Sequence, residues 1–230
     1  MVAVPAADCW LHPDVEVRRS PISGRGLFAR RPITADSVVS RIGGRLVSTI
    51  ELQEIFAAAA ADPLRPYVDT IVVDEDAHLV LPQRHNNGYG NHSCDPNLWW
   101  IDAYTLAARR HIPAGEEVTN DYATSAGIDA FTMGCSCGSP LCRRVITGND
   151  WRIPALQLRY GDHWVPALSA RIRGASRPIV SPTPTPADRA ATAKCQPVGD
   201  ALPPGVTVTT STTKINASFG PIAVPDPASL

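Results

Sequence analysis

The chain has 230 residues and a mass of 24.6 kDa, room for one ordinary domain plus an appendage or for two small domains. With 44% hydrophobic and 19% charged residues, most of it can bury a core. A formal net charge of −1 and a pI near 6.6 argue against a chain-wide nucleic-acid footprint, and no apolar run approaches the roughly 18 residues of a membrane span.

The opening MVAVPAADCWLHPDV has no basic n-region and is broken by Asp8 and His12, so it does not read as a secretory signal. Val15–Arg19 alternates, with Val15 and Val17 on one side, and predicts a strand. Ser23-Gly24-Arg25-Gly26 is a glycine turn feeding an apolar strand. Strands over Ser37–Ile42 and Arg45–Val47 flank the turn Gly43-Gly44. Ser48, with Glu51 three residues on, forms a capping box for an Ala-rich helix that Asp62-Pro63 ends. Strands over Thr70–Val73 and His78–Leu81 flank the acidic turn Asp74-Glu75-Asp76. Leu98–Asp102 and Thr105–Arg109 follow, and a second helical stretch runs around Trp151–Tyr160. Many short strands with few helices predict a mostly β domain.

Composition changes near Gly174. All five Trp and all five Tyr precede it, and Gly174–Leu230 holds 10 of the 22 prolines and one aromatic, Phe219. Such a segment buries too little apolar surface to offset ordering entropy, so 174–230 is expected to be a disordered Pro/Thr/Ser-rich tail. Within it, VTVTTSTT is the one run with strand propensity.

Three of the six cysteines lie within eight positions, as Cys135-Ser136-Cys137-Gly138-Ser139-Pro140-Leu141-Cys142. Tight clusters without a signal peptide bind metal more often than they form disulfides, which implies a reducing, intracellular compartment. Gly138 and Pro140 let the loop turn so that three thiolates converge on zinc, which wants four ligands. The fourth is a distant Cys, a His, or water at an open site. Asn91-His92-Ser93-Cys94-Asp95-Pro96-Asn97 is a dense polar run between strands. It reads as a cofactor or metal site, with Cys94 as the missing ligand, or as an Asx-rich turn closed by Pro96. The Gly24–Gly26 turn reads as a hairpin, or as backbone that approaches a ligand closely. Pro113-Ala114-Gly115-Glu116-Glu117-Val118-Thr119-Asn120-Asp121-Tyr122 feeds a short strand, and Tyr122 serves either the core or a site.

Taken in order, SGRGLFA, GNHSCDPN, IPAGEEVTNDY and C-x-C-G-x3-C-R resemble the SET-domain protein lysine methyltransferases that carry a C-terminal post-SET zinc loop. The resemblance covers about Val15 to Arg143. It implies small β-sheets around a pseudoknot, in which the NHSC segment passes beside the Asp-Tyr segment. It divides the chain into a SET domain over 13–123, a post-SET loop over 131–147, a packed extension over 148–173 and the tail. By the same resemblance, Gly24, Arg25 and Gly26 lie against S-adenosylmethionine, Asn91 and His92 hold it, and Tyr122 is the active-site tyrosine beside the transferring methyl. Cys94 completes a structural zinc site with Cys135, Cys137 and Cys142. Phe131 is a candidate wall of the lysine channel.

The implied reaction is methyl transfer from S-adenosylmethionine to a lysine of a protein or peptide substrate, which arrives as an extended strand. Alignment of amine and methyl contributes roughly 7–11 kcal/mol. Burial beside a positive sulfonium favours the neutral amine of a lysine whose unperturbed pKa is about 10.4. The alternatives are a catalytically silent, zinc-stabilised peptide-binding module and, fitting less well, a thiol redox protein. Neither nucleic-acid nor membrane binding is expected. The sequence departs from the family at Gly88, where a basic residue is common, and Cys9 alone precedes Cys94, too few for a pre-SET zinc cluster. The compact, Ala-rich chain has a bacterial look, so histone is not the default substrate. In 148–173, Trp151, Leu156, Leu158, Tyr160 and Trp164 are expected to pack on the domain.

Overall fold

A computed structural model describes residues 4–62, 68–83 and 85–175. The molecule is mostly β, with twelve short strands and three helices among the described residues. The strands are β1 (Trp10–Leu11), β2 (Val15–Arg19), β3 (Arg25–Ala29), β4 (Val38–Arg41), β5 (Arg45–Val47), β6 (Thr70–Asp74) and β7 (Ala77–Val80). They continue with β8 (Leu98–Trp100), β9 (Thr105–Ala108), β10 (Glu117–Val118), β11 (Thr132–Gly134) and β12 (Val145–Thr147). The helices are α1 (Thr49–Ala61), α2 (Pro154–Tyr160) and α3 (Pro166–Ala175).

The strands form four small antiparallel sheets, ordered β1-β4-β9-β8, β10-β3-β2, β5-β7-β6 and β11-β12. Two of the sheets are joined by a crossing. The segment 91–98 runs beside 117–121 with a parallel bridge between His92 and Asn120. Ser93 N–H donates to Asn120 O, Asn120 N–H to Asn91 O, and Leu98 N–H to Thr119 O. Buried Asn97 pins the crossing from the side, donating to Glu117 O at 2.8 Å and accepting from Thr119 N–H at 2.9 Å. This is the passage of NHSC beside Asp-Tyr that the resemblance implies.

Local chemistry explains the elements. Ser48 caps α1 with the full box: its hydroxyl accepts from Glu51 N–H while Glu51 accepts from Ser48 N–H. The acidic turn between β6 and β7 adds a second cap, since Asp76 accepts from Thr49 N–H at 2.9 Å. That bond, and one from the Thr49 hydroxyl, hold the Asp76 carboxyl below its usual pKa. Of α1, Leu52 is buried while Ile50 is 70% exposed, so the helix lies on the surface and relies on its caps.

The strand expected over Leu98–Asp102 stops at Trp100, and the stretch at Trp151–Tyr160 splits. A short 3-10 turn over Asp150–Arg152 precedes α2, which starts at Pro154, where a missing N–H has no helical partner to lose. The α3 helix was not foreseen and starts the same way, at Pro166; it carries helical structure past the Gly174 boundary to Ala175. The rest of the expected tail, 176–230, lies outside the described residues.

Trp151, Leu156, Tyr160, Trp164 and Leu168 are buried in the main core, together with Val72 and Val73 of β6. Leu158 is the exception at 88% exposure, because it sits on the outer face of α2. The α3 helix lies flush on the chain after Tyr122: a Cβ on Gly127 would collide with Leu168 and Arg171. Leu168→Ala removes a fully buried side chain from this contact. The expected loss is about 2–5 kcal/mol, read as a lowered urea midpoint at unchanged slope.

Candidate functional site

The crossing brings the motif residues together. Tyr122 opens a 3-10 turn capped by the Asp121 side chain, which accepts from Ala123 N–H. Its hydroxyl donates to Gly90 O at 2.8 Å and its N–H donates to His92 Nδ1 at 3.1 Å. Burial, and then the negative charge of Asp69, push its pKa above the usual tyrosine range, so the hydroxyl keeps its proton.

Asn91 ties this segment to the glycine turn. Its Nδ2 lies 2.7 Å from Glu117 Oε1 and 3.0 Å from both Ser20 Oγ and Arg25 O, with Ser23 O at 3.2 Å. Gly24 has φ +47°, a left-handed conformation that suits glycine. Gly26 is needed for a different reason: a Cβ there would collide with Glu117 and Asn91. Gly24–Gly26, Asn91, His92 and Tyr122 therefore occupy one neighbourhood, with Gly24 and Arg25 exposed at its rim.

The four thiols converge as well. The Sγ atoms of Cys94, Cys135, Cys137 and Cys142 all lie within 4.8 Å of one another. Cys94 and Cys135 are 3.9 Å apart and Cys142 and Cys135 are 3.6 Å apart. Sulfurs at the corners of a zinc tetrahedron with bonds of about 2.3 Å stand roughly 3.8 Å apart, so the spacing fits that ion. Two backbone groups also approach the sulfurs: Arg143 N–H donates to Cys94 Sγ at 3.3 Å and Cys94 N–H to Cys137 Sγ at 3.5 Å. Without metal, burial pushes Cys94 up to about 11. Burial opposes the ionisation of Cys137 too, but N–H donors from Cys94 and Ser139 and the neighbouring thiols bring it down to about 7. Phe131 and Ile146 close the cluster on its apolar side, and Tyr122 packs against it.

His92 stands between the two groups. Burial drives its pKa down to about 4 against the pull of Asp121, so the ring is neutral. Because Nδ1 accepts from Tyr122 N–H, the ring proton sits on Nε2, 3.3 Å from Cys94 Sγ. A ring donor on a ligating sulfur is the kind of outer contact that orients metal ligands.

Sequence reasoning missed the polar groups beneath these residues. Glu117 and Asp121 lie inside the quoted motif, and Arg143 directly follows Cys142, but nothing in their spacing shows whom they meet. The Asp121 side chain has no exposed surface. It accepts two bonds of 2.7 Å from the Arg143 guanidinium and one of 2.8 Å from the Tyr160 hydroxyl. Arg143 Nε also donates to Asp150 at 3.1 Å. Glu117 accepts from the Ser20 hydroxyl at 2.7 Å and from Asn91.

Arg143→Ala would strand the Asp121 carboxylate in the core. The expected cost is about 3–5 kcal/mol. Tyr160→Phe removes one bond of the same carboxylate and is expected to cost less, about 1–3 kcal/mol. Urea unfolding of the three proteins, followed by fluorescence, checks both the size and the order.

Comparison with known proteins agrees with the geometry. Residues 24–123 match the SET domain family. The chain is 29% identical over 154 residues to histone-lysine N-methyltransferase ash1 of Drosophila melanogaster, covering 63% of this chain and 7% of that protein. It is 29% identical over 141 residues to histone-lysine N-methyltransferase 2B of Homo sapiens, covering 57% and 5%. It is 30% identical over 154 residues to histone H3-lysine(4) N-trimethyltransferase ATX1 of Arabidopsis thaliana, covering 57% and 13%. The chain thus spans a small part of each relative's length. No described helix is long and apolar enough to cross a membrane. The residues that match the SET domain family hold the glycine turn, the NHSC segment and Tyr122.

Proposed function

We propose that the chain is a protein-lysine N-methyltransferase that uses S-adenosylmethionine and a structural zinc ion. The observation that carries this reading is the meeting of Gly24–Gly26, Asn91, His92 and the Tyr122 hydroxyl at one chain crossing inside a SET domain. S-adenosylmethionine, when bound, supplies an activated methyl on sulfonium. The glycine turn and Asn91–His92 are the residues that would hold it.

Tyr122 is assigned the active-site role. Its hydroxyl is un-ionised and its proton is committed to Gly90 O, so the oxygen lone pairs face whatever enters beside it. An acceptor oxygen there orients the hydrogens of an incoming amine. A lysine in this environment loses its proton to solvent before transfer, since burial and a nearby positive charge both disfavour the ammonium.

Cys94, Cys135, Cys137 and Cys142 are assigned to zinc. Four thiolates fill the coordination shell and leave no position for water, which makes the ion structural. Its place explains its use: Cys94 belongs to the segment that carries Asn91 and His92, so the ion would pin the loop over 135–142 to the cofactor side. The substrate is a lysine-bearing protein. The relatives' names specify histones; the reading for this chain requires a lysine-bearing protein and not a histone in particular.

Cofactor binding, turnover and metal removal test the reading. Calorimetry on the zinc-loaded chain is expected to register S-adenosylmethionine binding, and Tyr122→Phe is expected to keep it while turnover on a lysine peptide falls about a hundredfold or more. No binding at millimolar cofactor, or full turnover in the variant, refutes the assignment. Chelation is expected to abolish transfer with little change in far-UV circular dichroism, because the main core does not include the thiol cluster. Cys94→Ser is expected to lower zinc content below one per chain and to lose activity with it.

A further inference from the structure

Two carboxylates stand by Tyr122, and they are built differently. Asp121 is sealed, with no exposed side-chain surface and with Arg143 and Tyr160 upon it. Asp69 is open to a guest: its side chain is 26% exposed. Its negative charge nonetheless reaches the Tyr122 hydroxyl, where it opposes loss of the phenol proton. We propose that Asp69 is a specificity residue of this site, the contact that receives the ammonium of the acceptor lysine beside the Tyr122 hydroxyl. The proposal rests on the methyltransferase reading above and adds to it the residue that selects a charged acceptor.

Short contacts hold Asp69 in place. It directly precedes β6, and its carbonyl accepts from Leu81 N–H at 3.0 Å. Its Oδ2 lies 3.7 Å from His85 Nε2. His85 is fixed in turn, because its Nδ1 accepts from Gly88 N–H at 3.2 Å as the cap of a 3-10 turn over Asn86–Tyr89. With Nδ1 an acceptor, the ring proton sits on Nε2, the atom that faces Asp69. The same turn leads into Gly90, whose carbonyl accepts from the Tyr122 hydroxyl. One short turn thus meets Asp69 at its start and Tyr122 at its end. Gly88 keeps space between them: a Cβ there would come within 3.3 Å of His85 Nε2 and 3.6 Å of Asp69 Oδ2.

The charge at this spot is negative around neutral pH. The titratable groups that share it are His85, the Cys9 thiol and the Tyr122 hydroxyl. Burial holds His85 below its ordinary pKa, and burial holds Cys9 and Tyr122 above theirs, so all three are uncharged. The charges that remain are carboxylates, Asp69 and, felt at Cys9, Asp8. The surroundings reinforce the sign. Residues 48–83 hold seven Asp and Glu against one residue of the Lys and Arg type, Arg65. A field of this sign draws a cationic side chain toward the site and turns an anionic one away.

An acid in this position works in two opposed ways. It strengthens binding of the lysine as it arrives, because an ammonium on a carboxylate is a charge-assisted contact. It also favours the ammonium over the neutral amine, so proton loss to water, which must precede transfer, needs a higher pH. Removing the charge therefore weakens binding and eases deprotonation together. A merely structural role for Asp69, as the anchor of the His85 cap, has no such paired signature.

The test uses the peptide that the full zinc-loaded chain labels most strongly in a lysine-centred array with methyl-labelled S-adenosylmethionine. A fluorescence titration compares it with the same peptide carrying norleucine, which lacks the amine, at the target position. The native chain is expected to bind the lysine form about tenfold more tightly, and Asp69→Asn to bind the two alike. Asp69→Glu keeps the charge and is expected to keep a preference for lysine. In turnover, Asp69→Asn is expected to raise KM about tenfold while the pH of half-maximal kcat falls by about one unit. Far-UV circular dichroism and zinc content check that the variants fold. Where one does not, the native chain's own preference is the readout. Equal native affinity for the lysine and norleucine forms overturns the proposal and leaves the methyltransferase reading intact, as does a folded Asp69→Asn chain that still prefers lysine or whose kcat profile stays in place. An array without label, from protein that binds the cofactor, removes the proposal together with the reading beneath it.

Discussion

One buried carboxylate holds the candidate site in shape. Asp121 has no exposed side-chain surface, and an unpaired charge in such a place costs several kcal/mol. Each of its partners comes from a different part of the chain. Arg143 arrives from the loop that carries Cys135, Cys137 and Cys142, Tyr160 from the end of α2, and Ala123 N–H from the turn after Tyr122. The fork of Arg143 matches both carboxylate oxygens at once, which a lysine ammonium would not do. The desolvated carboxylate is thus satisfied only when the crossing, the thiol loop and the C-terminal helices are all in place. This makes the three parts one cooperative unit around Tyr122, which is covalently joined to Asp121.

The thiol cluster is coupled to the same unit through short bonds. Arg143 donates its backbone N–H to Cys94 while its side chain grips Asp121, so one residue spans both centres. His92 does the same from the other side, with Nδ1 on Tyr122 N–H and Nε2 on Cys94 Sγ. A metal held by these sulfurs would act as a fastener two hydrogen bonds away from Tyr122. The sulfurs are ordered by N–H donors that are present in any case, so little rearrangement is needed for them to close on an ion.

Local signals in the sequence were legible where the physics is local. The Ser48–Glu51 box needs four consecutive residues and forms as read; the strand β2 follows from the alternation of Val15 and Val17. The order of motifs pointed to the crossing through the resemblance, since no periodicity in residues 91–98 announces a partner at 117–121. The Asp121–Arg143–Tyr160 network was not legible. Its members are 22 and 39 residues apart from Asp121, and a polar residue carries no pattern that tells a buried, paired carboxylate from a solvated one. The α3 helix was missed for a related reason: Pro166 at its first position reads as a break unless its missing N–H is set against the helix start. Leu158, apolar yet 88% exposed, shows the converse limit, that composition alone cannot say which face of a seven-residue helix meets the core.

Every Lys- or Arg-type side chain among the described residues is an arginine, and the physical reasons can be weighed position by position. Some arginines are there for their plane. Arg18 lies over Phe28, Arg25 over Tyr89, Arg41 over Trp10 and Arg152 over Trp151, each within about 5 Å of the ring centre, where a flat guanidinium stacks better than an ammonium. Arg143 needs its fork. Elsewhere the plane gains nothing. Arg31 is 79% exposed and only approaches Asp14 at 4.0 Å, a contact that a lysine would make equally well and that contributes little in water. Arg45, 64% exposed at 3.5 Å from Glu51, is similar. Structure therefore accounts for arginine at the stacked and buried positions and is indifferent at the exposed ones.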